Sequence, residues 1–167
     1  MKRYRYYLII FVIAGLFVVP QLWTHKMILG ADALFHYNRF YETAEQLKTE
    51  NFSYFISIFG FQQSGRIVNA VYGPLFAYFQ GGLVLLAGSW FRYQVLSNFL
   101  VSLLAGCSLF KLLTYGKIRE NTALFSAIIF MTTYSINYWV LNQGFTSWGT
   151  SLLPLCLIPL VDLKNRH

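Results

Sequence analysis

The chain has 167 residues, 56% of them hydrophobic and 19% aromatic, with 11% charged and a mean hydropathy of +0.49. Such values exclude an ordinary soluble domain and are those of an integral membrane protein. The formal net charge of +7 does not point to nucleic acid, because Lys and Arg sit in short polar breaks between apolar runs, and the clustered basic patches of a phosphate-binding surface are missing.

The opening MKRYRYYLIIFVIAGLFVVPQLW has the basic start and apolar centre of a signal sequence, yet no small-residue cleavage site follows, so it reads as a retained anchor. Tyr7 to Trp23 predicts the first span, and Lys2, Arg3 and Arg5 before it predict a cytoplasmic N-terminus in the cell membrane. Residues 24–94 then form the first external loop. Within it, Gly30 to Asn51 holds four of the chain's six acidic residues, Asp32, Glu42, Glu45 and Glu50. Residues 32–50 predict an amphipathic helix: at about 100° per residue Asp32, His36, Arg39, Thr43, Gln46 and Glu50 share one stripe, while Leu34, Tyr37, Tyr41, Ala44 and Leu47 lie elsewhere. The expectation is a helix on the membrane surface with that polar stripe facing water.

The aromatic stretch after this helix is too interrupted to span and too apolar for a free linker, and is expected to pack at the interface. An apolar run covers 71–90, a polar break Phe91-Arg92-Tyr93-Gln94 follows, and further spans are expected over 95–163, at 95–113, 122–141 and 151–161. The polar turn NQGFTSWGT separates the last two. If all five runs crossed, the basic segment Lys111 to Arg119 and the tail around Lys164 would lie outside, against the positive-inside rule. Both return to the cytoplasm if 71–90 dips into the outer leaflet or lies along it, which Gly73, Pro74, Gly81, Gly82 and Gly88 favour; a full crossing is the alternative. The last apolar run is short and the chain stops soon after it, which predicts the N-terminal part of something longer. Cys107 and Cys156 lie in apolar runs and read as buried thiols, with no metal or disulfide spacing.

Asp32, His36 and Arg39 are the sharpest candidates for chemistry. Asp32 suits a general base or a contact to a divalent metal ion, with Arg39 near an anionic group; the competing reading is an N-cap that accepts backbone N–H bonds. His36 reads either as a proton carrier or ligand, or as a solvated polar residue. Arg66 reads as a contact to lipid phosphate or as a snorkelling anchor. Glu42, Glu45 and Glu50 read as a solvated helix surface. Asn142, Gln143, Thr146, Ser147 and Trp148 fall in a second external segment if 71–90 does not cross, and that segment contains no acid. No nucleophile elbow, P-loop or dinucleotide fingerprint is present.

The run Gly30-Ala31-Asp32-Ala33-Leu34-Phe35-His36-Tyr37-Asn38-Arg39, followed by Tyr-Gly-Pro-Leu-Phe-Ala-Tyr-Phe at 72–79 and by basic-flanked spans, resembles the large bacterial multispan proteins labelled "6-pyruvoyl-tetrahydropterin synthase-related". Their opening pattern is D-x-x-F-H-x-x-R and then an aromatic segment. Asp32, Phe35, His36 and Arg39 match it position by position, and the resemblance covers essentially the whole chain. The pterin chemistry in that label has no counterpart in these residues. Those proteins in turn resemble the GT-C class of membrane glycosyltransferases of the cell envelope, which use polyprenyl-phosphate-linked sugars and place an acidic residue in the first external loop.

The resemblance implies an all-α, polytopic transmembrane protein that moves a sugar from a polyprenyl-phosphate donor on the outer face. Asp32 would be the base or metal contact, Arg39 or Arg66 would meet phosphate, and the 71–90 run would lie near the lipid-donor groove. At the second loop the related sequences commonly carry a Gly-Glu pair where this chain has Phe145-Thr146. The rival expectation is a non-catalytic multi-pass protein, a lipid-binding or assembly subunit, in which the same helix is an interfacial anchor on the lipid bilayer.

Overall fold

The computed structural model describes residues 4–30 and 32–165. Lys2, Arg3 and Ala31 of the motifs above, and the tail beyond Asn165, lie outside the described residues. The described chain is all-α, with helices α1 (Tyr4–Thr24), α2 (Ala33–Thr49), α3 (Pro74–Ala87), α4 (Trp90–Tyr115), α5 (Glu120–Thr132), α6 (Tyr134–Asn142), α7 (Thr146–Cys156) and α8 (Ile158–Asn165), and no strand. It divides into two compact units, one of Met1–Ala31 with Ser97–His167 and one of Asp32–Leu96.

Three helical stretches are long and apolar enough to cross a membrane: α1 with 21 residues, α4 with 26, and 18 residues running through α7 and α8 from Thr146 to Leu163. At about 1.5 Å per residue the first two reach roughly 32 and 39 Å, against a hydrocarbon core of about 30 Å. Helices α5 and α6 make a fourth if they are counted as one span bent by 44°. Helix α3 is apolar but has only 14 residues, about 21 Å, so the 71–90 run is shorter as a helix than as a hydropathy segment. Gly88 ends it in the left-handed region at φ +68°, donating its N–H to Val84 O at 3.0 Å. The break therefore falls at Gly88-Ser89, and the predicted polar break at 91–94 is instead the first turn of α4, where Ser89 Oγ accepts the Arg92 N–H at 3.3 Å. The polar turn before the last run is likewise shorter than expected, because Thr146 to Thr150 join α7. That addition carries the last apolar stretch to spanning length.

In the first unit the core is built from small side chains at helical spacing. Ile10 and Ala14 on α1, Ala105 and Phe110 on α4, and Ala123, Ala127 and Met131 on α5 are fully buried in one cluster. Small residues allow backbones to approach where lipid supplies no hydrophobic drive for helix association. Tyr6 and Tyr7 close the cluster against Phe110, with ring centroids 5.5 and 5.1 Å away. The other faces of these helices are exposed and apolar, for example Leu8, Val12 and Leu16 on α1 and Phe125 and Ile129 on α5. Cys156, expected to be buried, is exposed on α7, and Cys107 is half-buried.

Polar side chains tie the same unit together. Asn98 donates to Gln21 Oε1 at 2.8 Å, and Gln143 donates to Asn98 Oδ1 at 3.0 Å and to Trp139 O at 2.8 Å. The chain of amides links α1, α4 and the end of α6, where unsatisfied polar groups would be costly. The bend between α5 and α6 has its own compensation. Thr133 leaves helical geometry (φ −64°, ψ 149°), and Asn137 donates to the Met131 carbonyl at 3.0 Å. Ser147 then inserts its hydroxyl into α6, accepting the Trp139 N–H at 2.9 Å and donating to Ser135 O at 2.7 Å. Gln143 and Ser147, read from the sequence as loop residues, are thus interior ties.

The second unit is organised on α2 and α3. Ala33, Tyr37, Phe40 and Ala44 give α2 a buried apolar side, and Thr43 Oγ1 donates to the Ala77 carbonyl of α3 at 2.7 Å. Gly81 makes this approach possible: a Cβ there would stand 2.5 Å from Thr43 Oγ1 and 2.8 Å from the Ala44 backbone nitrogen. Because Ala44 N is main chain, the conflict cannot be relieved by a rotamer change. Gly81→Val is expected to separate α2 from α3 and cost about 1–3 kcal/mol, the usual penalty of overpacking. A thermal-unfolding midpoint equal to that of the wild type would show that the two helices are not packed this closely.

Candidate functional site around Asp32, His36 and Arg39

Helix α2 runs close to its expected limits, with Asp32 at its N-cap and Glu50 ending it in the left-handed region at φ 55°. Its orientation is the reverse of the one expected. His36 is 5% exposed, and Arg39, Thr43 and Gln46 are at most 1% exposed, whereas Leu34 is 67% exposed. The middle of the polar stripe, from His36 to Gln46, faces the interior of the unit and finds its partners there, while its two ends, Asp32 and Glu50, are exposed. Arg39 Nε donates to Asn69 Oδ1 at 3.0 Å, its Nη2 to Tyr72 O at 3.5 Å, and its guanidinium lies 4.9 Å from the centroid of the Tyr72 ring. Gln46 exchanges hydrogen bonds with Ser53, donating to its carbonyl at 3.1 Å and accepting its N–H at 3.3 Å, and also accepts from the Tyr78 hydroxyl.

The histidine and the arginine are brought together directly. Arg39 Nη1 lies 3.2 Å from His36 Nδ1. A guanidinium can only donate, so Nδ1 is the acceptor and the ring proton sits on Nε2. Burial lowers the His36 pKa from 6.5 to about 4, Arg39 adds to that effect, and Asp32 pulls the other way. His36 is therefore neutral near pH 7. Burial also pulls Arg39 below its ordinary value, with Tyr72 opposing, but a guanidinium stays protonated. The ring of Phe35 stands 5.3 Å from that of Tyr72 and 5.7 Å from that of Phe61, closing an aromatic wall beside His36.

A neutral buried histidine makes stability depend on acid. The unfolded chain takes up a proton at His36 below pH 6.5 and the folded chain only near 4, so stability is full above 6.5 and falls as the pH drops toward 4. The whole shift corresponds to roughly 3 kcal/mol. Nitrogen-15 NMR of labelled histidine is expected to show an Nε2–H tautomer for His36 at pH 7 that persists at pH 5. A charged imidazole at pH 5.5 would contradict this environment.

Asp32 is exposed and makes no side-chain capping hydrogen bond, so the capping reading lacks its expected bond. Its carboxylate is open to a reactant at the start of the stripe. The described residues contain no group of three or more His, Cys, Asp or Glu that could hold a metal ion. The divalent ion considered from the sequence would therefore rest on the single carboxylate of Asp32, with its remaining ligands supplied by substrate phosphate and water, as is usual for magnesium.

Arg66 is exposed on the connection between α2 and α3, with its guanidinium 5.7 Å from the Phe61 ring centroid and its carbonyl accepting the Ser57 N–H at 2.9 Å. It differs from Arg39 in exposure: one cation is open to solvent and the other is enclosed. An open cleft lined by Tyr6 and Arg119 to Thr122 has no lining from α2.

Glu42, expected with Glu45 and Glu50 on a solvated helix surface, is instead interior. It is 1% exposed. Its Oε1 accepts the Ile58 N–H at 2.9 Å, and its Oε2 those of Phe59 and Gly60 at 2.8 and 2.5 Å, while Gln46 donates to Oε1 at 2.6 Å. Just beyond, Phe61, Gln62 and Gln63 all have left-handed backbones, with φ 52°, 58° and 59°. Each costs about 1–2 kcal/mol for a residue with a Cβ. Asn38 Oδ1 accepts the Phe61 N–H at 3.3 Å. The carboxylate thus anchors the strained turn that sets Phe61 against Phe35. Comparison with protein-family models, curated proteins and solved structures returns no match.

Proposed function

We propose that the chain carries the acidic first-loop site of a GT-C-like membrane glycosyltransferase, which moves a sugar from a polyprenyl-phosphate donor on the outer face of the cell membrane. The reading rests on the resemblance of D-x-x-F-H-x-x-R, and one observation supports it: Asp32 presents an exposed carboxylate at the head of a stripe whose next members, His36 and Arg39, are buried and joined. An exposed acid on a rigid base suits proton removal from an acceptor hydroxyl. In that scheme the acceptor oxygen bonds to the anomeric carbon, the bond from that carbon to the phosphate oxygen breaks, polyprenyl phosphate leaves, and Asp32 takes the hydroxyl proton.

Arg39 is fully buried, so its part is to hold His36 and the aromatic wall. Arg66 is exposed, which supports giving the contact to donor phosphate to this cation. A cytoplasmic N-terminus, with α2 outside, belongs to the same proposal and follows from the charge asymmetry of the sequence.

The test is sugar transfer by the purified protein in vesicles supplied with polyprenyl-phosphate-linked sugars. Label appearing in an acceptor, with release of polyprenyl phosphate, is the expected result. Failure to transfer from any such donor, by a protein shown to be folded, would favour the non-catalytic lipid-binding or assembly role.

A further inference from the structure

The connection between α2 and α3 turns large apolar side chains outward although its backbone is firmly held. Phe52, Tyr54, Phe55 and Ile56 are 60, 52, 68 and 47% exposed. A slack loop does not account for this. Gln46 grips both the N–H and the carbonyl of Ser53, Ser53 Oγ donates to Ile56 O at 2.7 Å, and Glu42 takes the next three N–H groups from Ile58 to Gly60. The apolar patch also continues onto α3. The Phe52 ring is 6.1 Å from that of Tyr78, and Leu75 and Phe79, on the same side of that helix, are 85 and 48% exposed.

Charge and connectivity identify the occupant. No acidic residue occurs between Glu50 and Glu120, and Arg66 is an exposed cation in the same connection, so the tip and α3 carry no acid to oppose phosphate head groups; the exposed Glu50, at the end of α2, marks the aqueous side of the tip. The unit is fastened in sequence to α1 on one side and to α4 on the other, both of spanning length. Phe and Tyr side chains with an apolar body are suited to the boundary between acyl chains and head groups.

We propose that the 52–56 tip, together with Leu75 and Phe79 of α3, inserts into the interfacial layer of the bilayer that α1 and α4 cross, so that lipid is the partner of this surface. The claim is independent of any transferase activity. It predicts a rigid unit seated on the membrane by an aromatic tip and by the exposed side of α3, with His36 to Gln46 of the stripe enclosed.

The test uses the whole protein with Cys107→Ser and Cys156→Ser, a single cysteine introduced as Phe55→Cys, and an environment-sensitive fluorophore attached to it in lipid vesicles. Lys48→Cys, at a position whose side chain is 62% exposed, serves as the aqueous reference. At 55 the emission is expected to shift to the blue, to be quenched severalfold more than at 48 by a quencher carried on lipid, and to be shielded from iodide. The same pattern is expected in nanodiscs holding one chain each. Equal iodide quenching at 55 and 48 would overturn the proposal, and so would shielding that vanishes at one chain per disc, which would assign the patch to a second copy. Tyr54→Cys repeats the measurement if labelling at 55 lowers the folded yield.

Discussion

Glu42→Ala is expected to destabilise the Asp32–Leu96 unit by about 3 kcal/mol or more. The substitution removes the acceptor of three backbone N–H groups, and each buried donor left unsatisfied costs about 1–3 kcal/mol. It also releases the turn at Phe61 to Gln63, whose left-handed backbones are held in place from Gly60 onward. Gln46 loses one partner as well. Glu42→Gln distinguishes this account from simple packing: it preserves volume but turns one accepting oxygen into a donor facing other donors, so it is expected to be nearly as damaging. Protease cleavage within residues 51–66 is the readout, with the thermal midpoint in detergent as a second. If Glu42→Gln were cut no faster than the wild type, the carboxylate would not be the anchor of this turn.

Asp32→Asn is expected to lower sugar transfer by about 10²–10⁴-fold, the usual range for loss of a general base, while leaving the fold unchanged. The separation of the two effects follows from the structure. Asp32 is exposed and makes no side-chain capping bond, and asparagine serves equally well at an N-cap. If Asp32 acted only on the helix dipole, the change would be about 0.3–1 kcal/mol in stability with transfer unaffected. The ratio of kcat between variant and wild type, at matched folded protein, decides between them.

Periodicity and composition were sufficient to place α2 and to identify three of the spanning stretches, because both depend on local sequence. What they could not supply was the direction in which α2 faces. The stripe from Asp32 to Gln46 looks like a water-facing surface until Asn69, Ser53 and the Ala77 carbonyl are brought against it, and those partners are 7 to 34 residues away in the chain. Glu42 is the clearest case. Its partners are main-chain N–H groups 16 to 18 residues later, which every residue but proline possesses, so no side-chain pattern marks them.

Tyr72, by contrast, lay within the aromatic run at 72–79 that carried the resemblance, and its place under Arg39 was within reach of that signal. The break at Gly88 was similarly available, since a glycine is the usual residue for a left-handed helix end. The polar letters at 91–94 outweighed it because hydropathy does not distinguish a loop from the first turn of a helix.

The transfer reaction proposed for Asp32 is open to a test in cells whose only copy of the protein has Asp32→Asn, read as the sugar composition of the envelope polymers. Loss of a specific sugar from one polymer, or its accumulation on the polyprenyl-phosphate donor, is expected, with the variant inserted in the membrane at the wild-type level. Envelope polymers unchanged in sugar content, with the variant present and folded, would contradict it.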